Sequence, residues 1–312
     1  MTAEQLRDRF RGVIGFPVTP FHADLSLDLD GLARNVDQMT QHEFCALVAA
    51  GGTGEMYSLT PDEVVDVVRV AVDATRGRMP VVAGVGFNTA IAADLARRLE
   101  QARADALLVM PPYYSNAPSE GLYSYYAAVG TACGLPLIIY SRDWAVFTPD
   151  MVSRVADRVP TLAAWKDGQG DARKYQRIMS HVGDRLAWLG GIGDDCAAAY
   201  FAIGVQAYTS SISNVAPALS LELGRCGLAG NFTHMNEVLA RFVHPLYAIR
   251  DRGRGYEVAV MKHAMEILGM PAGPVRPPLQ ACTESEIAEI RKLMDVYRAG
   301  PFALATAESG GR

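Results

Sequence analysis

Short, almost wholly apolar runs alternate with longer stretches of helical spacing along the first two thirds of the chain. The apolar runs span residues 13–18, 45–50, 81–86, 106–110, 137–140, 162–166, 186–190 and 206–211. Between them lie helix-start signals. Thr60-Pro61-Asp62-Glu63 offers an N-cap hydroxyl, a proline at the first helical position and acids in the first turn, and Thr148-Pro149-Asp150 repeats the pattern. Asn88-Thr89 and Ser119-Glu120 are weaker versions. Strands that are apolar throughout, rather than alternating, belong to a parallel sheet covered on both faces. Eight strand–helix units within about 210 residues predict a closed (β/α)8 barrel. The rival architecture, a doubly wound open sheet, would carry a glycine-rich phosphate turn after its first strand, where this chain has Gly15-Phe16-Pro17. Past residue 216 the pattern is helical only, with helices expected over 216–229, 231–251, 257–268 and 283–297. The reading is therefore a barrel over 1–216 and a C-terminal helical region over 217–312, forming one structural unit. Residues 303–312 are small and polar and are expected to fray.

Composition narrows the function. The chain has 312 residues, half of them apolar, enough for one large barrel core or for two ordinary domains. A net charge of −5 argues against a nucleic-acid partner, because phosphate binding needs a basic surface. No run approaches the roughly 20 apolar residues of a membrane-spanning helix, and the opening MTAEQLRDRFRG lacks the apolar core of a signal peptide. The five cysteines, Cys45, Cys133, Cys196, Cys226 and Cys282, form no CxxC pair and read as free thiols of a cytoplasmic protein. The six histidines are scattered, with His181, His234, His244 and His263 in expected helices and no HxH or HxxxH grouping, so no metal is expected.

In a (β/α)8 barrel, chemistry gathers at the C-terminal strand ends. Lysine is scarce here: Lys174, Lys262 and Lys292 are expected on polar helix faces, and Lys166 alone closes an apolar strand, Leu162-Ala163-Ala164-Trp165. Desolvation lowers an ammonium's pKa and makes the amine nucleophilic near neutral pH; a strand-end lysine paired with a carboxylate is the alternative. Tyr140 ends the preceding strand, either as a proton shuttle or as a packed rim residue. Gly51-Gly52-Thr53-Gly54 follows the second strand, and its backbone N–H groups with the Thr53 hydroxyl suit a carboxylate, though a plain turn has the same composition. Glu55 is read as stabilising the helix start that follows. Arg142 is either a bidentate carboxylate binder or the partner of Asp143 or Asp167. Ser210, Ser211, Ser213 and Asn214 either line the mouth or build a turn.

Taken together, PVTPF at 17–21, GGTGE at 51–55, PPYYSNAPSEGLYSYY at 111–126, IIY at 138–140 and the strand-ending Lys166 make the chain resemble the dihydrodipicolinate synthase and N-acetylneuraminate lyase family over roughly residues 12 to 300. The resemblance implies a (β/α)8 barrel with a helical C-terminal region, assembled as a homotetramer, a dimer of dimers. It implies Lys166 as the Schiff-base lysine, Tyr140 as the proton shuttle, Gly52 and Thr53 as the keto-acid carboxylate site, and Tyr114 reaching into a neighbouring subunit's site. No cofactor is implied, since an iminium supplies the electron sink.

Departures from the synthase pattern narrow the resemblance further. Gly52-Thr53 stands where synthases carry Thr-Thr, Ser141-Arg142-Asp143 where they carry Asn-Val-Pro. Lys166-Asp167-Gly168-Gln169-Gly170-Asp171, the Arg-Asp after Tyr140 and GPVRPPL at 273–279 resemble the family's 5-dehydro-4-deoxyglucarate dehydratase branch, although Asn is commoner there than Ser141. That branch implies a keto sugar diacid as substrate, dehydrated and decarboxylated to 2,5-dioxopentanoate, with Arg142 and the 210–214 polar groups gripping its second acid end. The rivals are a pyruvate-dependent class I aldolase or synthase of the same family, the aldolase marked by release of pyruvate, and a sugar-acid-binding barrel without turnover. Mere binding would need neither Lys166 nor Tyr140. A metal-dependent aldolase is disfavoured for want of a histidine cluster.

Overall fold

A computed structural model describes residues 1–302; the expected fraying of 303–312 lies outside the described residues. Eight parallel strands close into a barrel in sequence order: β1 Gly12–Gly15, β2 Ala46–Ala49, β3 Val81–Phe87, β4 Ala106–Pro112, β5 Leu137–Ser141, β6 Leu162–Asp167, β7 Ala187–Gly190 and β8 Ala207–Ser210. The ring is completed by β1 against β8, with Gly12 opposite Ala207 and Gly15 opposite Ser210. All eight strands stand where the apolar runs predicted them. β1 is shorter than expected because Pro17 cannot donate to a ladder. From Phe16 onward the turn after β8 satisfies the chain: Ser213 Oγ accepts from Phe16 N–H (3.4 Å) and Asn214 Oδ1 from Val18 N–H (3.1 Å).

Helices cover the outside, and their starts follow the local chemistry. Thr60 and Glu63 form a reciprocal capping box at Pro61–Thr75; Thr148 caps Pro149–Arg158 and Asn88 caps Thr89–Gln101. An unanticipated helix, Ala3–Arg9, begins at a Thr2–Gln5 capping box and buries Leu6 under the barrel floor, against β6. The C-terminal region adds Pro217–Ala229, Phe232–Val238, His244–Arg250, Tyr256–Ile267 and Glu284–Ala299. The single helix expected over 231–251 is divided by a π-helical turn at Leu239–Val243. Pro245 has no N–H to give to the carbonyl four residues back, so the ladder widens there.

One continuous hydrophobic core joins barrel and C-terminal helices. Its clearest departure from expectation is Lys262. Tyr256–Ile267 buries Val258, Ala259, Val260, Met261, Ala264 and Met265, and Lys262 among them, so the face expected to be polar is internal. Its ammonium pairs with Glu55 Oε1 at 2.6 Å and donates to the Pro274 carbonyl at 2.8 Å. Glu55 does not merely steady a helix start: it is fully buried and also accepts from Arg276 N–H at 3.0 Å. No helix among the described residues is long and apolar enough to cross a membrane.

Candidate active site

The register of the barrel sets the centre of the site. Tyr140 on β5 lies directly opposite Lys166 on β6, so the two side chains leave the sheet on the same face. Lys166 Nζ sits 3.4 Å from the centroid of the Tyr140 ring and 4.9 Å from that of Phe16. Alternation along the strand turns the next residue, Asp167, away; its carboxylate accepts from Tyr200 Oη at 2.8 Å and from Gly170 N–H at 3.1 Å. Lysine ion pairs among the described residues belong to Lys174 and Lys262, so Lys166 has none. Burial, reinforced by the Arg142 charge, holds the Lys166 pKa well below that of a free lysine. Burial pushes the Tyr140 phenol up, and its hydroxyl donates to the Gly191 carbonyl at 3.0 Å.

Two glycines make this pairing possible. A Cβ at Gly191 would fall 2.7 Å from Lys166 Cε and 2.4 Å from the Asp167 carbonyl, and one at Gly168 would fall 2.5 Å from the Tyr140 ring. Any larger residue would displace the lysine or the tyrosine.

The turn after β2 closes through Glu55 N–H onto the Gly52 carbonyl and Met56 N–H onto the Gly51 carbonyl, both at 3.1 Å. Thr19 Oγ1 clasps the Gly54 carbonyl at 2.7 Å. These bonds use none of the N–H groups of Gly52, Thr53 and Gly54. A Cβ on Gly52 would lie 3.6 Å from Arg142 Nη1, so the structure brings that guanidinium to the same turn. Arg142 also pairs with Asp143 through Nε at 2.8 Å and lies over the Tyr140 ring. Burial opposes its charge, but Tyr140, Asp143 and Glu257 outweigh that and keep its pKa above the ordinary value.

The groups after β8 depart from expectation. Ser210 is fully buried: its Oγ hydrogen-bonds Asp194 Oδ1, lies 2.7 Å from Ser220 Oγ and accepts from Ser213 N–H at 3.0 Å. Asn214 gives both amide hydrogens to carbonyls, of Phe16 (2.7 Å) and Ser211 (2.8 Å), while its oxygen serves Val18. Both side chains are spent on the frame and are corrected from substrate contacts to turn-builders. Ser211 stays half-buried at the rim, its Oγ accepting from Arg250 Nη1 at 2.9 Å. Tyr114 is 67% exposed, apart from Lys166's enclosure in this single chain.

Sequence reasoning missed Asp194, Tyr200, Arg250 and Glu257. The first two are polar residues beyond strand ends whose partners are remote in sequence. Arg250 and Glu257 come from the C-terminal helices, where a rule based on strand ends does not look. It also missed one possible metal-binding group: Glu222, Cys226 and His234 bring their ligand atoms within 4.8 Å of one another on the outer helices. Burial and the adjacent Glu222 push the Cys226 thiol up to about 11, and Glu222 already pairs with Arg225 and His234, so the trio reads as an ion-pair network beside a neutral buried thiol.

The model of the dihydrodipicolinate synthetase family matches residues 9–296, nearly the whole described chain. The chain belongs to this family. A Bradyrhizobium protein named "Probable 5-dehydro-4-deoxyglucarate dehydratase" is 41% identical over 308 residues, covering 98% of each chain. One of the same name from Bradyrhizobium diazoefficiens is 41% identical over 285 residues, 91% of each. Among solved structures, the dihydrodipicolinate synthase of Oceanobacillus iheyensis is 27% identical with a TM-score of 0.89, covering 96% of this chain and all of that one. Within this family fold, Lys166 and Tyr140 occupy the enclosed end of the barrel mouth, with the Gly52–Thr53 turn and Arg142 to one side.

Proposed function

We propose that the chain is a lyase that converts 5-dehydro-4-deoxy-D-glucarate to 2,5-dioxopentanoate, water and carbon dioxide through a Schiff base on Lys166. The observation that carries the chemistry is Lys166 itself: buried, without a carboxylate partner, its pKa well below that of a free lysine, and in register with Tyr140. The names of relatives at 41% identity supply the substrate.

In the proposed course the unprotonated Lys166 amine adds to the ketone at C5, and loss of water gives an iminium. That cation acidifies the C4 methylene; Tyr140, or a hydroxyl it orients, moves the proton. The C–H electron pair forms the C4=C5 bond of an enamine while the C=N π pair moves onto nitrogen. The nitrogen pair then returns to re-form the C=N bond, and the C4=C5 pair shifts to C3=C4 as the C3 hydroxyl takes up a proton and leaves as water. The conjugated iminium then accepts the electron pair of the C1–C2 bond as carbon dioxide leaves. Protonation of the resulting dienamine at C4, ketonisation of the C2 enol with a proton to C3, and hydrolysis release the product. The water lost in forming the iminium returns in that last step. The carboxylate beside the ketone is held by the Gly52 and Thr53 N–H groups and the Thr53 hydroxyl, with Arg142 supplying positive charge over the same turn. The reading includes a cytoplasmic homotetramer in which Tyr114 contributes to a neighbouring subunit's site, and it needs no cofactor.

The test is product analysis by NMR with carbon dioxide trapping. Equimolar 2,5-dioxopentanoate and carbon dioxide are expected. Release of pyruvate with an aldehyde fragment would replace this reading with an aldolase.

A further inference from the structure

The candidate site has a second guanidinium, contributed from outside the barrel. Arg250 closes the helix His244–Arg250, and its guanidinium stacks on the Tyr247 ring, 3.9 Å from the centroid. One nitrogen, Nη1, donates to Ser211 Oγ at the end of β8; Nε and Nη2 donate to no protein acceptor among the described residues. Nor does any carboxylate among them stand within ion-pairing distance.

The nearby acids do not account for it. Asp194 is buried, and its carboxylate already takes hydrogen bonds from Ser210 Oγ, Tyr247 Oη (2.8 Å), Ser211 N–H (3.2 Å) and Ile212 N–H (3.3 Å). It needs no further donor. Tyr247 is anchored by donating there while accepting from Asp194 N–H, so the surface on which Arg250 stacks is rigid. Asp195 and Glu257 also face this region, but neither pairs with Arg250. A stacked guanidinium fixed at one end and open at the other is preorganised for a planar anion.

Its location is complementary to the rest of the site. Arg142 lies against Gly52 and Asp143, at the turn assigned to the carboxylate beside the ketone. Arg250 instead stands over the β7–β8 arc: Tyr247 packs against Gly193 beyond β7, Ser211 follows β8, and the Lys166 stem leans on Gly191 between them.

We propose that Arg250, held by Ser211 and Tyr247, binds the far carboxylate of a dicarboxylic 2-keto acid attached to Lys166, and so selects diacids over monoacids. This deepens the functional reading above and rests on its Schiff-base lysine. It replaces Arg142, which lies at the Gly52 turn, and the 210–214 side chains as the grip on the second acid end, leaving Ser211 as the anchor of the cation.

The test uses two probes of equal length that cannot be dehydrated, 2-oxoadipate and 2-oxohexanoate. Each is trapped on the intact enzyme with cyanoborohydride, and the concentration giving half-maximal adduct is read by mass spectrometry. In the wild type, 2-oxoadipate should be trapped at a concentration about 10- to 100-fold lower than 2-oxohexanoate, the range of a charge-assisted bidentate contact. Arg250→Met should erase that preference while leaving 2-oxohexanoate within about twofold, and Arg250→Lys should restore part of it. Unchanged 2-oxoadipate trapping in Arg250→Met would overturn the proposal. So would an equal loss for both probes, which would make Arg250 a structural residue. A wild type that shows the diacid preference but leaves 5-dehydro-4-deoxy-D-glucarate unconverted would sink the proposed substrate and leave the diacid subsite standing.

Discussion

Lys166 and Lys262 are both almost entirely removed from water, 4% and 2% exposed. Yet the barrel mouth and the barrel–helix seam treat them differently. At the seam, Lys262 meets Glu55 at 2.6 Å and a carbonyl at 2.8 Å; burial lowers its pKa to about 8, with the Glu55 charge limiting the fall. At the mouth, Lys166 faces two aromatic rings and a second cation, and burial with the Arg142 charge holds its pKa well below that of a free lysine. Burial is common to both; the partner decides the outcome. A carboxylate turns a desolvated lysine into a clamp, here between the Gly52 turn and the C-terminal helices. Its absence leaves an amine with a free electron pair.

The comparison breaks most sharply by substitution at the two positions. Lys166→Ala should lower turnover by on the order of 10⁴-fold or more, because no other group can form the iminium. Lys262→Ala, assayed where it remains folded, should still form the adduct on Lys166. Tyr140→Phe keeps the ring against Lys166 and removes only the hydroxyl, so a loss of about 10²- to 10³-fold in kcat is expected with the fold intact by circular dichroism. Full activity in that variant would remove Tyr140 from the proton path.

Stability should respond in the opposite order. Lys262→Met strands the buried Glu55 charge and should cost about 3–5 kcal/mol in urea unfolding, whereas the Lys262→Met/Glu55→Gln double variant should recover much of that. A smaller effect tests Lys166. Its folded-state pKa lies below the unfolded value, so between the two the unfolded chain binds the extra proton and stability rises with pH. Lys166→Met lacks that penalty. Its Tm should exceed the wild type's at pH 7, and the gap should close as pH rises towards 10; a gap independent of pH would mean Lys166 is not held neutral.

The barrel and the Lys166–Tyr140 pair were legible in sequence because both follow from strand-ends: apolar runs fix the strands, and Tyr140 and Lys166 close two neighbouring runs, in register with each other. Lys262 was not, because a single charge inside an apolar helix gives no sign of whether it points to water or to a remote carboxylate. Ser210 and Asn214 were misassigned for a related reason. Position at a strand end brings a polar group to the rim, but whether its hydrogen bonds are already spent depends on Asp194, Phe16 and Val18, which the local sequence does not reveal. The break in the expected 231–251 helix has a local cause in Pro245, whose missing N–H the apolar periodicity does not register.

The central claim is that one desolvated, unpaired amine carries the reaction. Borohydride reduction in the presence of 5-dehydro-4-deoxy-D-glucarate, followed by peptide mass spectrometry, tests it most directly. The account predicts a single reduced adduct on the peptide containing Lys166, with a mass reflecting loss of water and carbon dioxide, and no adduct in Lys166→Ala. An adduct on a different lysine, or none with any 2-keto acid, would contradict it.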